Sequence, residues 1–106
     1  MAKARRTKRI PFSTLEQAAA SLRVLSHPHR LRIVEVLLNG PASVTDLATD
    51  VELAPAAMSQ HLSQMRAQGI VASRRNGRQV FYEVINPNAV HLIDCIVKHG
   101  PGRQNV

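Results

Sequence analysis

Residues Ala56 to Gly69 read A-A-M-S-Q-H-L-S-Q-M-R-A-Q-G, and the two sides of this stretch decide how the whole chain is read. Met58, Leu62 and Met65 fall at i, i+4 and i+7, the spacing of a helix lying on a core. The other side carries Ser59, Gln60, Ser63 and Gln64, with His61 at its edge. Neutral hydrogen-bonding groups stand where a solvated helix usually displays Glu and Lys. Pro55 suits the first helical position, and Gly69 is a stop. Upstream, Ser43 and Asp46 open a short helix to about Asp50, with Val44, Leu47 and Ala48 turned inward. Only Val51 to Ala54 separates the two. Short helices joined by so tight a turn form a helix-turn-helix.

Downstream the period changes. Ile70 to Ile85 reads I-V-A-S-R-R-N-G-R-Q-V-F-Y-E-V-I. Asn76-Gly77 is a strong two-residue hairpin signal, which predicts strands over Val71–Arg75 and Arg78–Ile85. Asn86-Pro87 then opens a last helix with Ala89, Leu92, Ile93, Ile96 and Val97 on one face, ending at Gly100-Pro101. Toward the N-terminus, Ser13 and Glu16 have capping-box spacing, followed by a stripe of Leu15, Ala18, Ala19, Leu22 and Leu25. A second helix has Pro28 in its first turn and stops at Gly40-Pro41. Its Leu31, Ile33, Val34, Leu37 and Leu38 are apolar on more than one side, which predicts the centre of the core. The result is mainly α with a β-hairpin wing: a winged helix-turn-helix of order α-α-α-α-β-β-α. Residues 1–12 read as a disordered basic tail, 13–100 as the domain, and 101–106 as a flexible C-terminus.

The chain has 106 residues, enough for one domain with a modest core. Aromatic residues make up only 3%, so that core must be aliphatic. Fourteen Lys and Arg against seven Asp and Glu give a net charge of +7. Such a balance favours a polyanionic partner, nucleic acid or an anionic membrane surface. The charge is concentrated in Lys3, Arg5, Arg6, Lys8 and Arg9 and again in Arg74, Arg75 and Arg78. A lone Cys95 excludes an internal disulfide framework and suits a reducing cytoplasm. No apolar run approaches the ~18 residues of a membrane span. Glu16, Gln17, Ser21 and Arg23 interrupt the apolar segment that a signal peptide would need after its basic start. Cytoplasmic localisation and no membrane association are therefore expected.

At this point the chain resembles the ArsR-type winged-helix repressors of bacteria over roughly residues 15–99. L-R-V-L-S-H-P-H-R-L-R-I-V-E-V-L-L-N-G (22–40) looks like the opening of that family's second helix. V-T-D-L-A-T-D-V-E-L-A-P-A-A-M-S-Q-H-L-S-Q-M-R-A-Q-G-I-V (44–71) looks like its helix-turn-helix, and S-R-R-N-G-R-Q-V-F-Y-E-V (73–84) like its wing. The resemblance implies a dimeric, DNA-binding transcriptional repressor whose first and last helices form a two-fold interface. On that reading Leu15, Leu22, Leu92, Ile93 and Ile96 would face the second copy. The alternative is that these stripes close the chain's own core. A dimer would set its two reader helices about one DNA turn apart, over an inverted-repeat operator.

The chemistry of the major groove explains the neutral face. Base pairs there differ in donors, acceptors and the thymine methyl, so short two-way hydrogen bonders suit the task. Ser59, Gln60, Ser63 and Gln64 are assigned to base edges or adjacent phosphates, with His61 beside them. Ala56 and Ala57 are small enough to admit the helix N-terminus. Arg74, Arg75 and Arg78 flank the sharp turn, placed for phosphates or a minor groove, with Thr45 and Arg66 as further phosphate candidates. A solvated polar face and a solubilising loop are the competing readings of the same residues; helix-turn-helix spacing followed by a wing favours duplex DNA.

The resemblance implies no familiar sensor. Where arsenite-binding relatives carry Cys-Val-Cys-Asp-Leu, this chain has Ser43, Val44, Thr45, Asp46 and Leu47. The zinc-type ligand set of the last helix aligns with Asn86, Asn88, His99 and Gly102, one ligand of four. The wing most resembles the sulfide- and persulfide-sensing branch, yet Glu35 occupies the place of one of that branch's two cysteines. No cofactor is expected and the effector stays open: a small molecule, or a redox change such as an intersubunit Cys95 disulfide. His91, Cys95 and His99 are weak metal candidates. Spaced i, i+4 and i+8, the outer two lie about 12 Å apart along a helix, too far for one ion. His27 and His29 flank Pro28 and are explained by helix capping. No phosphate loop, carboxylate pair or nucleophile constellation points to an enzyme. The competing function is a winged helix for protein–protein assembly or RNA contact.

Overall fold

In the computed structural model, which describes residues 8–102, the chain forms five helices and three strands. In order these are α1 (Phe12–Leu25), α2 (Pro28–Leu37), β1 (Ala42–Ser43), α3 (Val44–Val51), α4 (Pro55–Ala67), β2 (Val71–Asn76), β3 (Gln79–Val84) and α5 (Pro87–His99). The basic residues Lys3, Arg5 and Arg6 lie outside the described residues. Ile33, Val34 and Leu37 of α2 are buried, and α2 packs on α1, α3, α5 and β3. The aliphatic core gathers Leu47 of α3, Met58, Leu62 and Met65 of α4, and Ile70 and Val71 at the root of the wing.

Local chemistry fixes the helix boundaries. Pro28 occupies the start of α2, and Nδ1 of His27 accepts from the His29 amide at 3.2 Å. Oγ of Ser43 accepts from the Asp46 amide (3.1 Å) and Oδ1 of Asn86 from the Asn88 amide (2.8 Å), each satisfying a donor that the helix leaves free. The capping box at Ser13 does not form. Helix α1 begins earlier, at Phe12, with the Pro11 carbonyl accepting from Thr14 and Leu15, so Ser13 is already helical.

Helices α3 and α4 end alike. Leu53 donates to the Ala48 carbonyl and Glu52 to that of Thr49, while Ile70 donates to Met65 and Gly69 to Arg66. Both are Schellman closures around a left-handed residue. At the second that residue is Gly69 (φ +76°); at the first it is Glu52 (φ +63°), where a Cβ is tolerated at a cost of about 1 kcal/mol.

The wing departs from expectation twice. It belongs to a three-stranded antiparallel sheet of order β1-β3-β2, because Ala42 and Ser43 pair with Tyr82 and Phe81. The hairpin also turns one residue later than Asn76-Gly77. Asn76 pairs with Gln79, leaving Gly77 and Arg78 as the turn. Only Gly77 (φ +68°) has positive φ, the pattern of a type II′ turn, so Arg78 sits at the tip rather than in a strand.

Candidate nucleic-acid interface

Residues Ala56 to Ala67 divide the surface of α4 into three. Met58, Leu62 and Met65 are fully buried and anchor the helix. Ala56, Ser59, Gln60 and Ser63 lie at i, i+3, i+4 and i+7 and are all exposed. No side-chain hydrogen bond among the described residues engages this stripe, so its donors and acceptors stay available. Ala57 is half-buried at its margin.

His61 and Gln64 face elsewhere than the free stripe, toward α2. Arg30 donates from Nε to His61 Nδ1 and from Nη2 to Gln64 Oε1, each at 3.0 Å, and from Nη1 to the Val24 carbonyl at 3.1 Å. One guanidinium thus ties the end of α1 and the start of α2 to the middle of α4. Residue types alone place His61 and Gln64 with the base-reading group; in the structure both also carry a contact to Arg30. His61 also meets His27 edge-on, ring centroids 4.6 Å apart, with His29 at 6.0 Å. Burial, then the charges of His27, Arg30 and His29, push the His61 pKa below its ordinary 6.5. A neutral His61 is also what Arg30 requires, since protonation of Nδ1 would remove its acceptor.

The wing arginines are exposed. Arg74 approaches Glu83 across the hairpin at 3.9 Å, too long and too solvated to hold it firmly. Arg74 and Arg75, as neighbours on one strand, point to opposite faces, and Arg78 extends from the turn. Arg66 donates to Ser73 Oγ at 3.0 Å, bracing the end of α4 against β2. Thr45 is exposed in the first turn of α3, its carbonyl accepting from Thr49 Oγ1. A neutral stripe on α4, an exposed turn of α3 and an arginine-bearing hairpin form a surface suited to a groove and its flanking phosphates.

The proposed interface residues separate in the same way. Leu15 and Leu22 of α1 and Ile96 of α5 are exposed, and Leu92 is half-buried. Ile93 is only 5% exposed and packs with Ala89 in the chain's own core, at the floor of the groove between α2 and α5. His91, Cys95 and His99 are exposed along α5 and form no three-residue ligand group. The one such group among the described residues is His27, His29 and His61. Neither it nor Arg30 stood out in the sequence, because His61 and Gln64 lie 31 and 34 residues beyond Arg30.

Comparison with known proteins gives a consistent picture. A family described as "Bacterial regulatory protein, arsR family" matches residues 27–73, from the start of α2 into the wing. The HTH-type transcriptional regulator YgaV of Escherichia coli is 38% identical over 88 residues, covering 82% of this chain and 88% of that protein. The transcriptional repressor BigR from Xylella fastidiosa superposes with a TM-score of 0.76 at 33% identity, over 82% of this chain and 89% of the other. NolR from Sinorhizobium fredii does so at 0.76 and 30%, over 90% and 98%.

Proposed function

Because this chain belongs to the ArsR family of bacterial regulatory proteins, we propose that it is a transcriptional repressor that reads double-stranded DNA in a sequence-specific way, as a dimer at an inverted repeat. One observation carries the reading: α4, anchored by three buried side chains, leaves Ala56, Ser59, Gln60 and Ser63 exposed beside an arginine wing. Gln bonds adenine bidentately, Ser serves donor or acceptor, and Ala admits a thymine methyl. Arg75 and Arg78 supply sequence-independent attraction to phosphates, with Thr45 at the start of α3 adding a further contact. Arg66, Gln64 and His61 orient α4 through Ser73 and Arg30.

The fit to DNA also favours this reading over assembly or RNA contact. A protein-docking face would display a contiguous apolar patch, and a single-strand RNA site would display stacking aromatics. The α4 stripe offers neither. Among the described residues no helix is long and apolar enough to cross a membrane; a duplex-DNA partner is what supports a cytoplasmic location.

Selection of bound duplexes from a random-sequence pool, at a stated salt concentration, tests the proposal. The expected result is an enriched inverted repeat with half-sites about one turn apart. Recovery of unenriched DNA, with binding that depends on salt alone, would show that the α4 stripe reads no bases.

A further inference from the structure

The histidines at the start of α2 have an unused capacity. His27 caps the helix, His29 is exposed in its first turn, and His61 reaches them from α4. Each offers one ring nitrogen, and the three nitrogens lie within 4.8 Å of one another. Imidazoles around one tetrahedral ion, with metal–nitrogen bonds of about 2.0–2.1 Å, sit about 3.3 Å apart. The closure required is about 1.5 Å, within reach of side-chain rotation at two residues on the rim and one on the facing helix. Three nitrogen ligands with a fourth position open suit zinc, cobalt or nickel rather than calcium or magnesium, which need oxygen.

From this geometry we infer that His27, His29 and His61 form a binding site for a single divalent transition-metal ion, and that filling it withdraws Arg30 from α4. The inference rests on the DNA-binding reading for its consequence but not for the site itself. The exclusion follows from proton bookkeeping. His61 Nδ1 accepts from Arg30, so its proton resides on Nε2. A metal bound at Nδ1 takes the lone pair that Arg30 uses. A metal bound at Nε2 moves that proton to Nδ1, where it faces the Arg30 N–H. In both cases no proton leaves the ring overall, and the Arg30 contact is lost. The guanidinium also repels a second cation beside it, so ion and Arg30 compete for one imidazole. With Arg30 displaced, Gln64 and the Val24 carbonyl lose their partner, and the ion's bridge from His61 to His27 and His29 becomes α4's tie, to the start of α2 alone. The metal-loaded protein therefore holds the reader helix in a different setting and binds its operator more weakly.

The test begins without DNA. Cobalt(II) is titrated into the full chain at a pH above the ordinary imidazole value of about 6.5, and visible d–d absorption reports coordination. Wild type should saturate at one equivalent per chain. His27→Asn, which keeps a capping side chain, and His29→Gln, on the exposed rim, should each lose the band while unfolding at the wild-type temperature. Absence of a saturable band in wild type, or its persistence in both variants, overturns the site. A gel-shift titration with zinc chloride then reads the consequence. Operator affinity should fall about tenfold in wild type and stay constant in His29→Gln; equal responses, or none, overturn the coupling to Arg30. A protein that binds cobalt yet no duplex even without metal refutes the DNA reading alone, which keeps the two failures distinct.

Discussion

At the residue scale the decisive contact is Arg30 with His61 and Gln64, and the burial of His61 there makes stability depend on pH. Burial and the neighbouring charges of His27, Arg30 and His29 lower the folded-state pKa of His61. In the unfolded chain the group returns to about 6.5, so between the two values the unfolded state binds more protons. The stabilising contribution is therefore fully present above about 6.5 and is lost as pH falls through the folded value. Thermal unfolding across that window should show the melting temperature dropping with acidification, and His61→Gln should flatten the slope. An equally steep profile in the variant would assign the effect to another group. The outward stripe of α4 was legible in the sequence, and the Arg30 contacts to His61 and Gln64 were not. Helical spacing places Ser59, Gln60 and Ser63 outward, but no local pattern tells that a guanidinium from another helix claims Gln64.

At the scale of elements, the proposed interface assigns specificity to α4 and affinity to the wing. Gln60→Ala removes a potential bidentate base contact while leaving the buried anchors Met58, Leu62 and Met65 untouched. It should relax preference at one or two operator positions, a loss of about 1–3 kcal/mol of discrimination. Arg75→Ala should weaken every sequence alike and lower the salt dependence by about one counterion. Gel-shift titrations over several salt concentrations separate the two; identical behaviour of both variants and wild type would refute the contact assignment. The helices were legible because their boundaries are chemical: Ser43, Asn86, Pro28 and Pro55 mark starts by side-chain or ring geometry. The strands were less so. β1 is two residues whose only cause is pairing with Tyr82 and Phe81, a non-local event. The hairpin shifted because Asn76 is satisfied by pairing with Gln79, which leaves Gly77 alone to supply the positive φ.

At the scale of the molecule, α1 is the element that the chain's own core leaves largely uncovered. Its only buried residue is Leu25, whereas Phe12 is 73% and Leu22 54% exposed. A 14-residue helix gains little from its own propensity in water and needs an apolar face covered to be stable. The second stripe, on α5, turns Ala89 and Ile93 into the core but leaves Ile96 and Val97 outside. Between α2 and α5 lies an open groove of about 280 Å³ lined by Leu31, Ile96 and Val97 among others. Closure of the chain's own core thus accounts for half of α5 and almost none of α1, and a second copy of the chain is the proposed cover. Leu22→Asp combined with Ile96→Asp places charges on that face without entering the core. The double variant should run as a monomer by light scattering at micromolar concentration, where wild type runs as a dimer. Losing the tether between half-sites should cost operator affinity about a hundredfold or more. Binding to an isolated half-site should stay within a few-fold, because Leu22 and Ile96 belong neither to the α4 stripe nor to the wing. A monomeric wild type at that concentration would overturn the dimer, and α1 would then need a different partner to cover it.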